Sequence, residues 1–194
     1  MRPFILLAAL TASGAAALAV APSPQKADLF ELKLSNVMAR GVAAEPTAYR
    51  TEFADDEVNA YLQLRLAQRF PAGVADPSVT LVGQGRLSAR AIVDLDGLRK
   101  KSSGGWFDPA AYLAGRLPVT ATGTLKTANG RGQLQLESAE VSGIPVPLTL
   151  LQELVTYYTK SPDLPTGVNL NEPFDLPSKI QRIDVDPGRA VVVQ

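Results

Sequence analysis

The longest regular pattern of hydrophobic and polar positions covers residues 79–95. Odd positions in this stretch are apolar or glycine, and most even positions are polar. Alternation with a period of two is typical of a strand with one buried face and one solvated face. As one continuous strand, the stretch would measure on the order of 55 Å. A strand of that length has to bend, and Gly83 and Gly85 are the expected bending points. The pattern therefore predicts a strongly curved sheet.

A second alternation covers residues 118–126 and ends near Asn129-Gly130, a strong turn signal. On the return arm, the parity of the apolar positions changes between Leu136 and Ala139. A β-bulge between these two residues would restore all the apolar side chains to one face. The second alternation therefore predicts a hairpin with a bulge in its return strand.

The C-terminal residues predict one more hairpin, with its turn at residues 186–189. The turn sequence is Asp-Pro-Gly-Arg, which contains two strong turn formers. Residues 190–193 are all apolar, and an uninterrupted apolar run indicates burial on both faces. We therefore expect the last strand to pair inside the sheet.

Three segments have apolar residues at the spacing of a helix: residues 27–40, 55–66 and 148–160. The second has the clearest start, because Asp55 or Asp56 can cap it and acidic residues occupy its first turn. Together with the alternating segments, these helices predict an α+β fold. In that fold a long, highly curved antiparallel β-sheet wraps around or packs on two or three α-helices.

Residues 1–21 have the organisation of a secretory leader. Arg2 precedes an apolar run at 4–10, and polar residues then interrupt the apolar character that a membrane span would need over about 20 residues. We expect export to the periplasm or envelope, with residues 22–194 as a single domain; an uncleaved anchor is the alternative. Small-residue cleavage sites end at Ala17, Ala19 or Ala21.

The composition excludes several classes of function. The 194 residues contain 19 Lys and Arg and 19 Asp and Glu, so no positive net charge favours nucleic-acid binding. Cysteine is absent, which excludes disulfides and thiolate metal sites. Histidine is also absent, which removes the commonest general base and zinc ligand. We therefore expect no enzyme activity, no metal and no cofactor.

The acidic clusters have structural explanations. Residues 55–57 lie where the positive end of a helix dipole favours negative charge. Asp94 and Asp96 share one strand face and leave open a weak cation site. Asp184 and Asp186 have the same spacing beside a turn, where aspartate is common.

Residues 53–62, Phe-Ala-Asp-Asp-Glu-Val-Asn-Ala-Tyr-Leu, resemble a segment of small bacterial exported proteins with a tubular lipid-binding (TULIP-like) architecture. In that family a long, curved antiparallel sheet wraps a helix and leaves an apolar groove or tunnel for an acyl chain. The order of the long meander, the helix after Pro147 and the C-terminal strand is similar as well. The resemblance implies binding of a lipid or other apolar molecule, without catalysis.

Small residues on the inward side of both alternations form a candidate ligand groove. Missing side-chain bulk leaves either a slot for a ligand or room for a helix to fill completely, since protein interiors are dense. The first alternative is an exported, non-catalytic lipid-binding protein. The second is a structural or protein-interaction module of the envelope with a solid core. The candidate groove residues are Gly83, Gly85, Leu87, Ala89, Ala91, Val93, Val119, Ala121, Gly123, Leu125, Leu151, Val155 and Tyr158.

A basic and aromatic stretch is a candidate membrane contact. Aromatic side chains favour the depth of the lipid headgroups, and cations attract anionic phosphates. Each cation near such a surface contributes about 1 kcal/mol, so the attachment would be weak and reversible. The alternative is a solvated connection whose aromatic residues tuck under the sheet edge. The residues are Arg99, Lys100, Lys101, Trp106, Phe107 and Tyr112.

Overall fold

The computed structural model describes residues 22–42, 48–94, 96, 115–162 and 164–194. The predicted leader at residues 1–21 lies outside these ranges. So does the candidate membrane-contact loop, Arg99, Lys100, Lys101, Trp106, Phe107 and Tyr112.

Five consecutive antiparallel strands run without an intervening α-helix in the described part of the chain, and this separation of helices from strands confirms the α+β class. The helices are α1 (Pro24–Gly41), α2 (Asp55–Leu64) and α3 (Leu148–Thr159). The strands are β1 (Arg50–Ala54), β2 (Val74–Gly83), β3 (Arg86–Asp94), β4 (Arg116–Ala128), β5 (Arg131–Val141), β6 (Ile144–Val146), β7 (Phe174–Asp175), β8 (Arg182–Asp186) and β9 (Arg189–Val193).

The strands form two antiparallel sheets. The larger sheet has the order β2-β3-β4-β5-β6, and β7 also pairs with β5. The smaller sheet has the order β1-β9-β8. The C-terminal strand β9 is therefore central, as its valine run predicts, but it lies in a separate small sheet rather than in the large one.

The prediction of one continuous strand over residues 79–95 is wrong. Strands β2 and β3 form a hairpin, and its turn residues Gln84 and Gly85 have φ values of 55° and 80°. The alternation continues through the turn because the register pairs odd residues with odd residues, such as Val79 with Ala89. A hairpin with this register places both sets of odd residues on one face, so its pattern is the same as that of a single strand.

The predicted bulge in the second hairpin is confirmed. Thr122 pairs with Ser138 and Gly123 pairs with Leu136, so Glu137 is the extra residue of β5. The Asn129-Gly130 turn between β4 and β5 is also confirmed. The bulge brings the apolar residues of both halves of β5 onto the face that packs against α3.

Helix α2 covers the free edge of β2 through three side chains spaced four residues apart. Asp55 accepts a hydrogen bond from the Leu81 N–H at 3.2 Å. Asn59 donates to the carbonyl of Val79 at 2.8 Å and accepts from its N–H at 2.7 Å. Gln63 donates to the carbonyl of residue 77 at 3.2 Å. Four helical residues rise about 6 Å and two strand residues advance about 6.6 Å, so the two repeats match.

The predicted aspartate cap of α2 is wrong. Ala54 occupies the N-cap position, and Asp55 is the first residue of the helix. The Asp55 carboxylate bonds to β2 instead of to its own helix. Burial raises the pKa of this carboxyl, and the hydrogen bond from Leu81 opposes that shift. Asp55 therefore connects the helix to the sheet edge.

The described residues have two hydrophobic clusters. One lies between α3 and the inner face of the large sheet and includes Val119, Val141 and Leu154. The other lies between α1 and the small sheet and includes Val37 and Phe53. The first cluster adjoins the cavity described next.

Candidate functional site

A cavity of about 410 Å³ lies between strands β2–β5 and helix α3. It follows from small residues in register. Ala89 on β3 pairs with Ala121 on β4, and Ala121 pairs with Ala139 on β5. Ala89 and Ala121 leave a trough in the sheet surface, and Ala139, which is buried, continues the row of small residues beside it. Helix α3 covers the trough without filling it.

The wall contributed by α3 is its apolar stripe. Leu151, Leu154, Val155 and Tyr158 recur at three- and four-residue spacing, so they share one side of the helix. Leu151 and Leu154 also belong to the buried cluster. The polar groups that α3 brings to the cavity are the hydroxyls of Tyr158 and the neighbouring Thr159.

The strap, residues 164–172, packs along α3 beside the cavity. Gln152 of α3 donates to the carbonyl of Val168 at 2.8 Å and accepts from the N–H of Leu170 at 3.0 Å. Gly167 lies so close to the helix that a Cβ atom would meet the carbonyl oxygen of Thr156 at 2.5 Å. These contacts place Leu170 in the cavity wall.

Replacing Gln152 by alanine is expected to loosen the strap. The substitution removes two hydrogen bonds to its backbone, and one such bond contributes about 1 kcal/mol net. We expect the Leu170 amide to exchange with solvent about fivefold to tenfold faster. Hydrogen exchange measured residue by residue tests this. Glu153→Ala is the matched control, because Glu153 is exposed on the same helix. Equal exchange in both variants would contradict the role of Gln152.

The polar groups near the cavity are already bonded or directed elsewhere. The Tyr158 hydroxyl donates to the backbone carbonyl of Asp94, and burial, with the nearby Asp94 carboxylate, raises its pKa. The Thr159 hydroxyl donates to the Val155 carbonyl and accepts from the Val168 N–H. Arg90 and its pairing partner Ser78 also border the cavity, and strand alternation directs both side chains to the opposite face from Ala89. The cavity thus offers a ligand almost only hydrocarbon contacts.

No protein-family model matches the sequence, and no curated protein matches it. A similar chain among solved structures is described as "Crystal structure of lipopolysaccharide binding protein". It is 18% identical, with a TM-score of 0.21, and the match covers 75% of this chain and 40% of that chain. The present chain thus spans less than half of that protein's length. At this TM-score the similarity carries no argument about fold or ligand.

The cavity brings together eight of the candidate groove residues. They come from β3, β4 and α3, which the register and the α3 stripe place around one space. Whether they contact a ligand stays a prediction. These residues are Ala89, Ala91, Val93, Val119, Ala121, Leu151, Val155 and Tyr158.

Five candidate groove residues, Gly83, Gly85, Leu87, Gly123 and Leu125, do not line the cavity. Gly83 and Gly85 lie at the β2–β3 turn, where the expected continuous strand is interrupted. A Cβ atom on Gly83 would meet the ring of Pro187 at 2.8 Å. The Gly85 N–H donates to the carbonyl of Val185, and the Leu125 N–H donates to the carbonyl of Gly85. This end of the hairpin therefore packs against β8 and β9 instead of around a ligand.

Sequence reasoning missed most of the walls outside β3, β4 and α3. The sequence does indicate the missed β5 residues, Leu134 and Leu136, because they occupy alternate positions that face inward in the predicted hairpin. Leu154 is indicated as well, as part of the α3 stripe. Leu170 is not, because the strap follows no periodicity. The missed wall residues are Leu62, Phe70, Pro71, Val74, Pro77, Ser78, Val79, Arg90, Leu134, Leu136, Leu154, Thr159 and Leu170.

The aspartate pair at the end of β3 is engaged in local hydrogen bonds. The Asp94 carboxylate accepts from the N–H of Asp96 at 3.0 Å, and the Asp96 carboxylate accepts from the N–H of Gly115 at 3.0 Å. Within the described ranges, no group of three or more acidic side chains could hold a metal ion.

No helix among the described residues has both the length and the apolarity to cross a membrane.

Proposed function

We propose that this protein binds the hydrocarbon part of a lipid or another apolar molecule in the cavity beneath α3, without catalysis. The observation that carries the proposal is a space of about 410 Å³ with an almost entirely apolar wall. Ligand pockets have volumes of about 300 to 1,000 Å³ and mostly apolar linings. The other expectation from the sequence, a core filled by its own side chains, predicts that α3 covers this face of the sheet completely.

The exposed apolar lining supports an apolar occupant. The pocket is open to solvent, and several of its apolar wall residues, such as Ala89, Ala121 and Val155, are only partly buried. Removing apolar surface from water is favourable by about 25 cal/mol per Å². The bonded hydroxyls of Tyr158 and Thr159 offer few partners to water molecules in the pocket. An apolar ligand covers this surface without needing such partners.

The location that we propose is the periplasm or envelope. It is supported by the leader pattern of residues 1–21 and by the resemblance of residues 53–62 to exported TULIP-like proteins. A weak membrane-surface contact through the basic and aromatic stretch around Trp106 belongs to the same proposal. Such a contact would bring the protein to a source of lipid.

Native mass spectrometry of the purified full-length chain tests the proposal. We expect a co-purifying apolar molecule that organic solvent removes, followed by uptake of a fluorescent fatty acid. Ala121→Phe fills the cavity and is expected to lower probe affinity at least tenfold. Thr120→Phe is the matched control, because its side chain lies on the opposite face of β4.

A protein that carries no lipid after repeated purification and takes up no fatty acid would overturn the proposal. Equal probe affinity in Ala121→Phe and the wild type would overturn this cavity as the binding site. Circular dichroism and thermal melting of both variants establish that they remain folded.

A further inference from the structure

We infer that helix α3 and the strap move as one flap, hinged along β5 and latched by Tyr158, and that this motion admits and releases the ligand. The flap is α3, residues 148–159, together with the strap, residues 164–172. The flap itself follows from contacts in the structure. Its role in ligand exchange rests on the proposed function.

Hydrogen bonds from side chains to the backbone join the two parts of the flap. Gln152 of α3 bonds to the carbonyl of Val168 and to the N–H of Leu170. The Thr159 hydroxyl accepts a third bond, from the Val168 N–H, at 2.7 Å. Gly167 lies against the helix backbone with no room for a Cβ atom. The strap therefore cannot leave α3 without breaking these bonds, so the two parts move together.

Both ends of the flap are anchored to the same strand. Before α3, β6 pairs with residues 139–141 of β5. After the strap, β7 pairs with residues 131 and 132 of β5. Pro147 separates β6 from α3 and has no N–H to continue the strand pairing. Hinges are a few residues at the ends of elements, so the two anchors define a hinge along β5.

The latch lies two strands away from the hinge. The Tyr158 hydroxyl donates to the carbonyl of Asp94, the last residue of β3. The Asp94 N–H donates to the carbonyl of Gly73 at 2.7 Å, which fixes the acceptor in place. Between hinge and latch, the flap contacts the sheet through the apolar stripe of α3 above the cavity. The cavity leaves fewer packing contacts to break when the flap opens.

Hydrogen exchange of the delipidated full-length protein tests the flap without a ligand. A detached helix of 12 residues is marginal in water, so opening should expose its amides as well as those of the strap. We expect the Leu154 and Leu170 amides to share one opening free energy, lower than that of Ala121 in β4. Tyr158→Phe keeps the ring in the cavity wall but removes the latch, and should speed exchange at both Leu154 and Leu170 about fivefold. Gln152→Ala is the contrasting variant, which should speed exchange at Leu170 and leave Leu154 unchanged.

Stopped-flow mixing with the fluorescent fatty acid tests the role in ligand exchange. An opening step shared by the empty and the loaded protein limits entry and release alike. Tyr158→Phe should therefore raise the association and dissociation rate constants equally, about fivefold, and change the dissociation constant by less than about twofold. Loss of a ligand contact would raise the dissociation rate constant alone. Tyr61→Phe is the matched control, because the Tyr61 ring stacks on Phe30 of α1 with 4.5 Å between ring centroids.

The outcomes separate this inference from the proposed function. Unrelated opening free energies in α3 and the strap would overturn the flap, whether or not a ligand binds. Unchanged rate constants in Tyr158→Phe, or a rise in the dissociation rate constant alone, would overturn its role in ligand exchange. If the fatty acid binds to no variant, the proposed function fails, and equally faster exchange at Leu154 and Leu170 in Tyr158→Phe would still support the flap.

Discussion

Replacing Glu57 by alanine is expected to lower the free energy of unfolding by about 3 kcal/mol, measured by urea denaturation. Glu57 is 4% exposed, and its carboxylate oxygens lie 2.6 and 2.9 Å from the Lys33 ammonium nitrogen. It also accepts a hydrogen bond from the Ala54 N–H at 3.3 Å. The substitution leaves a partly buried cation without its partner, and it removes a link between α1 and α2.

The double variant Lys33→Met/Glu57→Leu separates the ion pair from packing. Replacing both charges with apolar groups leaves no unpaired charge, so its stability is expected to lie within about 1 kcal/mol of wild type. Glu57→Gln keeps an acceptor for Ala54 and should lose less than Glu57→Ala. A double variant no more stable than Glu57→Ala would show that the carboxylate acts through contacts other than Lys33.

Replacing Gly83 by alanine is expected to lower the free energy of unfolding by about 3 kcal/mol. The φ angle of Gly83 is 107°, which residues with a side chain rarely adopt. An added Cβ atom would also lie 2.8 Å from two ring atoms of Pro187, and a proline ring has little freedom to move. Both costs arise where the β2–β3 hairpin packs against the β8–β9 hairpin. The same urea titration measures the effect.

Gly143→Ala is the matched control for Gly83. Gly143 has a φ angle of 77°, but an added Cβ atom would meet nothing within 4 Å. The control therefore carries the backbone cost alone, about 1 to 2 kcal/mol. Equal losses in the two variants would contradict a tight contact between the hairpins at Gly83.

The elements of the fold follow closely from local pattern. The helical stripes, the Asn129-Gly130 turn and the bulge at Glu137 are all present as the sequence predicts. Each depends on residues near one another in the chain, where periodicity and turn chemistry act directly. The wrong prediction of one strand over residues 79–95 has the same origin. The alternation of apolar and polar residues continues through a turn that pairs odd residues with odd residues, so the local pattern does not reveal the turn.

The candidate site follows from the sequence only in part. Small residues such as Ala89 and Ala121 indicate missing bulk on the sheet, and the α3 stripe indicates what faces it. The strap with Leu170 gives no such signal, since Gln152 holds it through backbone atoms that any sequence would offer. The part of the wall made by Phe70 and Pro71 likewise depends on where a loop folds back.

The sequence by itself determined the α+β class, the helices, the inward face of the two long alternations and the absence of histidine and cysteine chemistry. Only the tertiary structure decided that residues 79–95 turn back on themselves, that β9 lies in a second sheet and that a cavity remains beneath α3. The physical reason is that periodicity reports which side of an element is buried. The partner of that side, and the volume left between the two, depend on contacts between residues far apart in the chain.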